Sequence, residues 1–472
     1  MADLQKLCAG AALLTLPNAR ALDLAAALAA RPPEGFFDAV PGARTLLLLY
    51  DPERFDPARL DLSLRGQRPE PRTVRLRACY DGPDLAEVAR ELGAPVDEVV
   101  RRHAGAEHVV SFLGFAPGFA YMTGGLGVPR LRTPRVRVPA GSLAVADVYT
   151  GIYPAETPGG WRLIGRVAEA MFDARADPPA LLRPGDRVVF DPVGELAGAP
   201  RPAPEPIARD PLLRVLTPGA FTSVQGGPRY GLAASGVPSA GAMDLASLAA
   251  ANRALGNAPF APALEITLQG PVLEALADVR VSLGRRARKL RRGERLDTAS
   301  VERGVRTYLC VEGGLAAPRP GEVTRALRAG EVLGRSPANA RAPDSAEPPE
   351  VPLRFGEPLV EVRAHRGPQW HLFASPEDFF DREYRVSARS DRRGLRLSGP
   401  ALALLRPADI PPEGTAPGAV QVPGDGMPIV LGPDRPVTGG YAKIATVVPA
   451  DFPLLAQARP GTAIRFLEEP WT

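Results

Sequence analysis

Pro158-Gly159-Gly160-Trp161-Arg162-Leu163-Ile164-Gly165-Arg166-Val167 and Thr438-Gly439-Gly440-Tyr441-Ala442-Lys443-Ile444-Ala445-Thr446-Val447 are two versions of one pattern. In each, a Gly-Gly-aromatic loop runs into an apolar strand. Each is followed by an Arg-Pro-Gly turn and a second strand: Arg183-Pro184-Gly185 before Asp186 to Phe190, and Arg459-Pro460-Gly461 before Thr462 to Phe466. Weaker echoes of the turn occur at Arg292-Gly293-Glu294 and Ala329-Gly330-Glu331. Glycine takes the positive φ that other residues resist, and the chain then enters a sheet. Repetition of such a unit predicts related β-domains in tandem. The copies are far apart and irregularly spaced, which argues against a solenoid.

Composition agrees. The chain has 472 residues, with 48 glycines, 54 prolines and 45% hydrophobic residues. That favours short strands between many turns over long helices. Only three of the 57 basic residues are lysines: Lys6, Lys289 and Lys443. The net charge of +4 therefore reflects arginine usage rather than a nucleic-acid surface. The densest basic run, Arg285 to Arg292, has no interleaved aromatics and reads as a solvated hairpin. No apolar run approaches the ~20 residues of a membrane span. No signal peptide is recognised, and Cys8, Cys79 and Cys310 are too scattered for a disulfide framework or zinc site. The expectation is a soluble, cytoplasmic protein.

Near the amino terminus, a helix-like Leu22 to Ala30 stretch accompanies an apolar strand, Thr45 to Tyr50, suggesting a small α+β domain. Two short helices are predicted next. One follows Asp84, with Leu85, Val88 and Leu92 on one face; the other starts at Pro95, with Val96, Val99, Val100 and His103 in a stripe.

Phe112-Leu113-Gly114-Phe115-Ala116-Pro117-Gly118-Phe119-Ala120-Tyr121 resembles a signature of the carboxyltransferase-related family that includes the B-type subunit of 5-oxoprolinase, the Kip kinase inhibitor and allophanate hydrolase subunit 1. The likeness continues through Arg137 to Ser142, Thr150 to Pro154 and Glu156 to Trp161. The second half resembles the C-type subunit of 5-oxoprolinase and allophanate hydrolase subunit 2. It does so at Pro218 to Gln225, Gly241 to Asp244, Ala251 to Arg253, Leu264 to Thr267, Ser390 to Arg392, Pro417 to Pro423 and Thr438 to Tyr441. The resemblance implies a natural B–C fusion, mainly β, with tandem cyclophilin-like barrels behind a small α+β domain. On that basis the expected organisation is an α+β domain at 1–75 and a cyclophilin-like domain at 76–197. A linker at 198–211, a β-rich domain at 212–335, a linker at 336–352 and a second cyclophilin-like domain at 353–472 follow. The chain departs from the family pattern where Gln225 runs directly into Gly226-Gly227-Pro228, without an acidic residue, and at Pro412-Glu413-Gly414, Pro436 and Asp147-Val148-Tyr149.

The resemblance implies ATP-dependent opening of 5-oxoproline to glutamate, with ATP and magnesium as cofactors and a separate A-type subunit as partner. The alternatives are a Kip-like regulator of a sensor kinase and a urea- or allophanate-related carboxyltransferase component. No Walker-type phosphate loop occurs, and no lysine follows a methionine as biotin attachment requires. A lactam is resonance-stabilised, so such a site needs donors for a developing oxyanion or phosphate and carboxylates for proton transfer.

Lys443 stands out because the aligned repeat position is Leu163. It reads either as an electrostatic catalyst or as a strand lysine with an exposed head. Asp425 lies in a turn, and Glu265, by strand alternation, faces either solvent or a cleft. With Lys443, these two are the catalytic candidates. Asp244 reads as a helix N-cap or a binding residue, and Asn252 as a loop anchor or a substrate contact. Arg389, Asp391 and Arg392 place two guanidiniums about a carboxylate, either a surface network or an anion site. Gly159-Gly160 and Gly439-Gly440 are tight turns or anion cradles, and Gln421 lies in a motif segment. His103, His108, His365 and His371 lack metal-ligand spacing, and no metal site is expected within the chain.

Overall fold

A computed structural model describes residues 3–131, 133–196, 210–298, 301, 303–319, 321–335, 358–406 and 409–471. The expected linkers 198–211 and 336–352 fall outside these residues, apart from 210 and 211.

Thr45–Tyr50 is buried at all six positions because both faces of its sheet are covered. It is an inner strand of a four-stranded antiparallel sheet, ordered Asp3–Cys8, Ala11–Thr15, Thr45–Tyr50, Phe36–Pro41. Leu46 and Leu48 face the helix Asn18–Ala30, against Leu24 and Leu28. Leu47 and Leu49 face the other way, onto Ala233, Ala416 and Val437 of the second half. The sheet of the small domain is thus sandwiched between its own helix and the second half of the chain.

Seven strands close the first barrel in the order Thr73–Cys79, Arg187–Pro192, His108–Leu113, Ala120–Met122, Tyr149–Ile152, Ser142–Ala146 and Arg162–Val167. The second barrel repeats the circuit: Leu359–Arg366, Ala463–Glu468, Glu383–Val386, Gly394–Ser398, Ile429–Leu431, Ala419–Val422 and Thr438–Val447, which returns to the first. Both circuits contain one parallel pair, made by the first and last strands in sequence. The repeated Gly-Gly strands occupy equivalent places, as do the two strands after the Arg-Pro-Gly turns. The architecture is mainly β, with tandem barrels behind an α+β domain. Because Thr73 already pairs with Arg187, the expected boundary after residue 75 is corrected: it cuts the first barrel strand.

Helices Leu85–Glu91 and Val96–Ala104 lie where the apolar stripes place them, and His103 is buried against Phe190. Between the barrels in sequence, two sheets of four and five strands share a core that includes Leu213, Leu264, Leu273 and Leu309. The basic run forms the exposed arm of a hairpin, Val279–Leu283 with Arg286–Leu290. No helix among the described residues is long and apolar enough to cross a membrane.

Candidate active site at the junction of the two halves

Along Thr438–Val447, Ala442 and Ile444 point into the barrel core. Strand alternation therefore turns Gly439, Tyr441 and Lys443 outward. Lys443 pairs in register with Gln421, and Gly439 with Glu413 on Asp409–Gly414. The expected exposed head of Lys443 is corrected: the residue is 0% exposed, because Glu413 and Gln369 pack over it. Its Nζ lies 2.7 Å from Glu413 Oε1. The contact is Coulombic rather than an aligned hydrogen bond, and among the described residues the ammonium has no hydrogen-bond acceptor. Gln369 braces the pair: its Nε2 donates to Glu413 Oε1 at 2.9 Å, and its Oε1 accepts the Lys443 backbone N–H at 3.1 Å.

Gln421 Nε2 is also buried without an acceptor among the described residues. A Cβ on Gly439 would come within 2.3 Å of that nitrogen, so only glycine lets the Gln421 amide lie against this strand. Two donors without acceptors, beside one buried carboxylate, form a cradle suited to a carbonyl or carboxylate oxygen.

The first half forms the rim. Gly114 approaches Thr438 so closely that a Cβ there would meet its hydroxyl. Arg130 pairs with Asp409 at 2.5 Å, and its guanidinium carbon sits 5.2 Å from the centre of the Tyr441 ring. The same guanidinium is 3.4 Å from where a Gly440 Cβ would stand. Burial raises the Tyr441 pKa, with Arg130 opposing and Asp409 and Asp425 assisting. Burial likewise pushes Tyr121 up to about 12, with the Thr438 hydroxyl and Arg130 pulling it down.

The other sequence candidates lie elsewhere or are committed. Asp425 is in an exposed turn, where its Oδ1 accepts the Met427 N–H at 3.1 Å. Gly159 is blocked, since a Cβ would lie 2.2 Å from the Tyr153 hydroxyl. The neighbouring Gly160 carbonyl accepts the Leu131 N–H at 2.7 Å. Glu265 meets neither solvent nor a cleft, which corrects that expectation. It is 1% exposed and accepts from Tyr308 at 2.8 Å, Met243 N–H at 2.7 Å and Arg392 at 2.5 Å. Burial pushes the Glu265 carboxyl up, but Arg392 and Arg306 outweigh it and hold the pKa below the ordinary range.

The expected grouping of two guanidiniums about Asp391 is also corrected. Arg392 turns inward to Glu265, Asp434 and the Gly241 carbonyl, whereas Asp391 and Arg389 remain in an exposed turn. Asp244 caps helix Leu245–Arg253 through the Ser247 N–H at 2.9 Å and also accepts from Gln457 at 2.8 Å. Asn252 anchors a loop through the Pro259 and Ala261 carbonyls. Among the described residues, no three His, Cys, Asp or Glu side chains are grouped to hold a metal.

Sequence reasoning missed the roles of Glu413, Gln369 and Arg130. A longer alignment of the two repeats contains a signal for one of them. Gln369 accepts the Lys443 N–H as Asp84 accepts the Leu163 N–H.

Comparison with known proteins adds identity to this geometry. Residues 7–182 match the model for carboxyltransferase domain, subdomain C and D, and residues 235–468 that for subdomain A and B. The chain is 35% identical over 285 residues to the C subunit of 5-oxoprolinase from Escherichia coli K12, covering 54% of this chain and 91% of that protein. It is 42% identical over 174 residues to the B subunit of 5-oxoprolinase from Escherichia coli O157:H7, covering 34% of this chain and 78% of that protein. The crystal structure of TTHA0988 in space group P212121 aligns with a TM-score of 0.83 at 37% identity, over 99% of this chain and 100% of that one. The chain therefore belongs to the carboxyltransferase-domain family, as one polypeptide that joins a B-type half to a C-type half.

Proposed function

We propose that the chain is the fused B–C component of an ATP-dependent 5-oxoprolinase, converting 5-oxo-L-proline, ATP and water to L-glutamate with a separate A-type subunit in the cytoplasm. The observation that carries this reading is the Lys443–Gln421 cradle at the seam where the two halves meet. Lys443 and Gln421 hold the lactam oxygen and stabilise charge that develops on it. Glu413 and Gln369 fix the ammonium, and Arg130 with Tyr441 screens the mouth from water. ATP supplies the phosphoryl chemistry that activates the lactam oxygen. Magnesium does not suit this cradle: it wants oxygen ligands, whereas the cradle sets two nitrogen donors, one of them an ammonium, beside a single carboxylate. We accordingly assign the magnesium nucleotide to the assembly with the A-type subunit, outside the cradle.

The test is reconstitution. The purified chain alone should turn over little 5-oxoproline, and the chain with its A-type partner should form glutamate and consume ATP. A reconstituted complex that consumes no ATP with 5-oxoproline present removes the reading. Binding to a sensor kinase in its place would favour a regulator.

A further inference from the structure

The cradle holds an acceptor beside its two donors. The polar contacts of the Glu413 carboxylate with Lys443 Nζ and Gln369 Nε2 both fall on Oε1. Among the described residues, no hydrogen bond falls on its Oε2. Gly439, in register with Glu413 and with no side chain, lets Gln421 Nε2 lie close against the strand. We infer that Glu413 determines specificity, accepting an amide N–H with Oε2 while Lys443 Nζ and Gln421 Nε2 take the carbonyl oxygen of the same amide. This deepens the reading above and rests on it.

Such an arrangement selects by amide geometry. A lactam ring forces the cis amide, which presents its C=O and N–H on one edge. An open-chain secondary amide is overwhelmingly trans and presents them on opposite edges. A site with donors and an acceptor side by side matches only the first, and a mismatched amide would leave a buried donor without a bond.

Ligand-observed NMR titration of the full chain with three small amides reads this directly. 2-Pyrrolidone has the cis edge complete, N-methyl-2-pyrrolidone lacks the N–H, and N-methylacetamide is trans. 2-Pyrrolidone should bind at least about tenfold more tightly than either, the scale of one unmatched buried polar group. Gly439→Ala should abolish the preference, and Gln421→Met, which removes a donor without adding bulk on the glycine, should weaken 2-pyrrolidone by about tenfold. A thermal melt of each variant shows that it is folded.

Equal binding of the two pyrrolidones, absence of lactam binding, or wild-type affinity in Gln421→Met would overturn the assignment. Reconstituted turnover separates this from the parent reading. Selectivity without 5-oxoproline turnover leaves the cradle standing and sinks the reaction. Turnover without selectivity does the opposite.

Discussion

The two barrels have the same circuit of strands and opposite chemistry at the same place. In the first, Asp84 accepts the Leu163 N–H at 2.7 Å and pairs with Arg135 at 2.5 Å, on a strand whose Arg135 is in register with Gly159. In the second, Gln369 accepts the Lys443 N–H, and Glu413, in register with Gly439, pairs with Lys443. Where Ala144 stands opposite Leu163, Gln421 stands opposite Lys443. The first barrel also fills this outer face with Phe112, Phe119, Tyr121 and Tyr153. Duplication has left one copy packed and dry, and the other polar with unmatched donors. The backbone is shared, so the difference at this place is carried by a few side chains.

Grafting the first copy onto the second should break this contrast most severely. Lys443→Leu leaves Glu413 buried without its cation, which costs about 3–5 kcal/mol of stability. Turnover of the reconstituted enzyme should fall by about 100-fold or more, the scale of one electrostatic donor in a dry site. Adding Glu413→Gln should restore most of the stability, because no charge is then stranded, but none of the turnover. Urea denaturation of both variants beside the assay separates the effects. A Lys443→Leu protein with full turnover would make the two copies equivalent after all.

The barrels should also differ in acid. His103 packs on Phe190, and at the corresponding place in the second barrel Phe379 packs on Phe466. Burial lowers the His103 pKa to about 3, with His108 assisting. Its folded pKa lies below the unfolded value, so the unfolded chain binds the proton more tightly. Stability is therefore full above pH ~6.5 and is lost as the pH falls from there toward 3, amounting to about 2 kcal/mol at pH 5. Tyr80 and Thr150 bond the ring nitrogens at 2.8 and 3.1 Å, so the neutral imidazole is also held in place. His103→Gln should flatten the pH dependence of unfolding between pH 6.5 and 5, whereas Phe379→Leu should lower stability equally at both. Parallel pH profiles for wild type and His103→Gln would remove this contrast.

The shared circuit is legible in sequence because a glycine turn and the strand after it are local. The same holds for the Asp244 cap, which reaches only to Ser247. Glu265 is not legible, since the Arg392 that neutralises it lies 127 positions away. Lys443 stands out by its rarity, yet its burial depends on Gln369, 74 positions upstream, and on Glu413 from another strand. The aromatic filling of the first copy is equally hidden: Phe112 and Tyr153 read as signature residues, and only their contact across the sheet shows them packing this face.

The smallest expected difference sharpens the comparison from the other side. Each barrel fastens its parallel strand pair with an arginine–carboxylate fork at the surface: Arg75 with Asp191, and Arg366 with Glu468. Both forks are well exposed, with arginine side chains at 65% and 49% of full accessibility. Water and salt screen such pairs, and ordering two long side chains offsets most of the attraction. The parallel seam is held instead by its ladder and by Leu76, Phe190, Val362 and Phe466 beneath it. Arg75→Ala and Arg366→Ala should therefore leave the denaturation midpoint and reconstituted turnover within experimental scatter of wild type at physiological salt. The two should also match each other. A loss in one barrel alone would mean that its fork holds the seam, and that the copies differ in how they are closed as well as in what they expose.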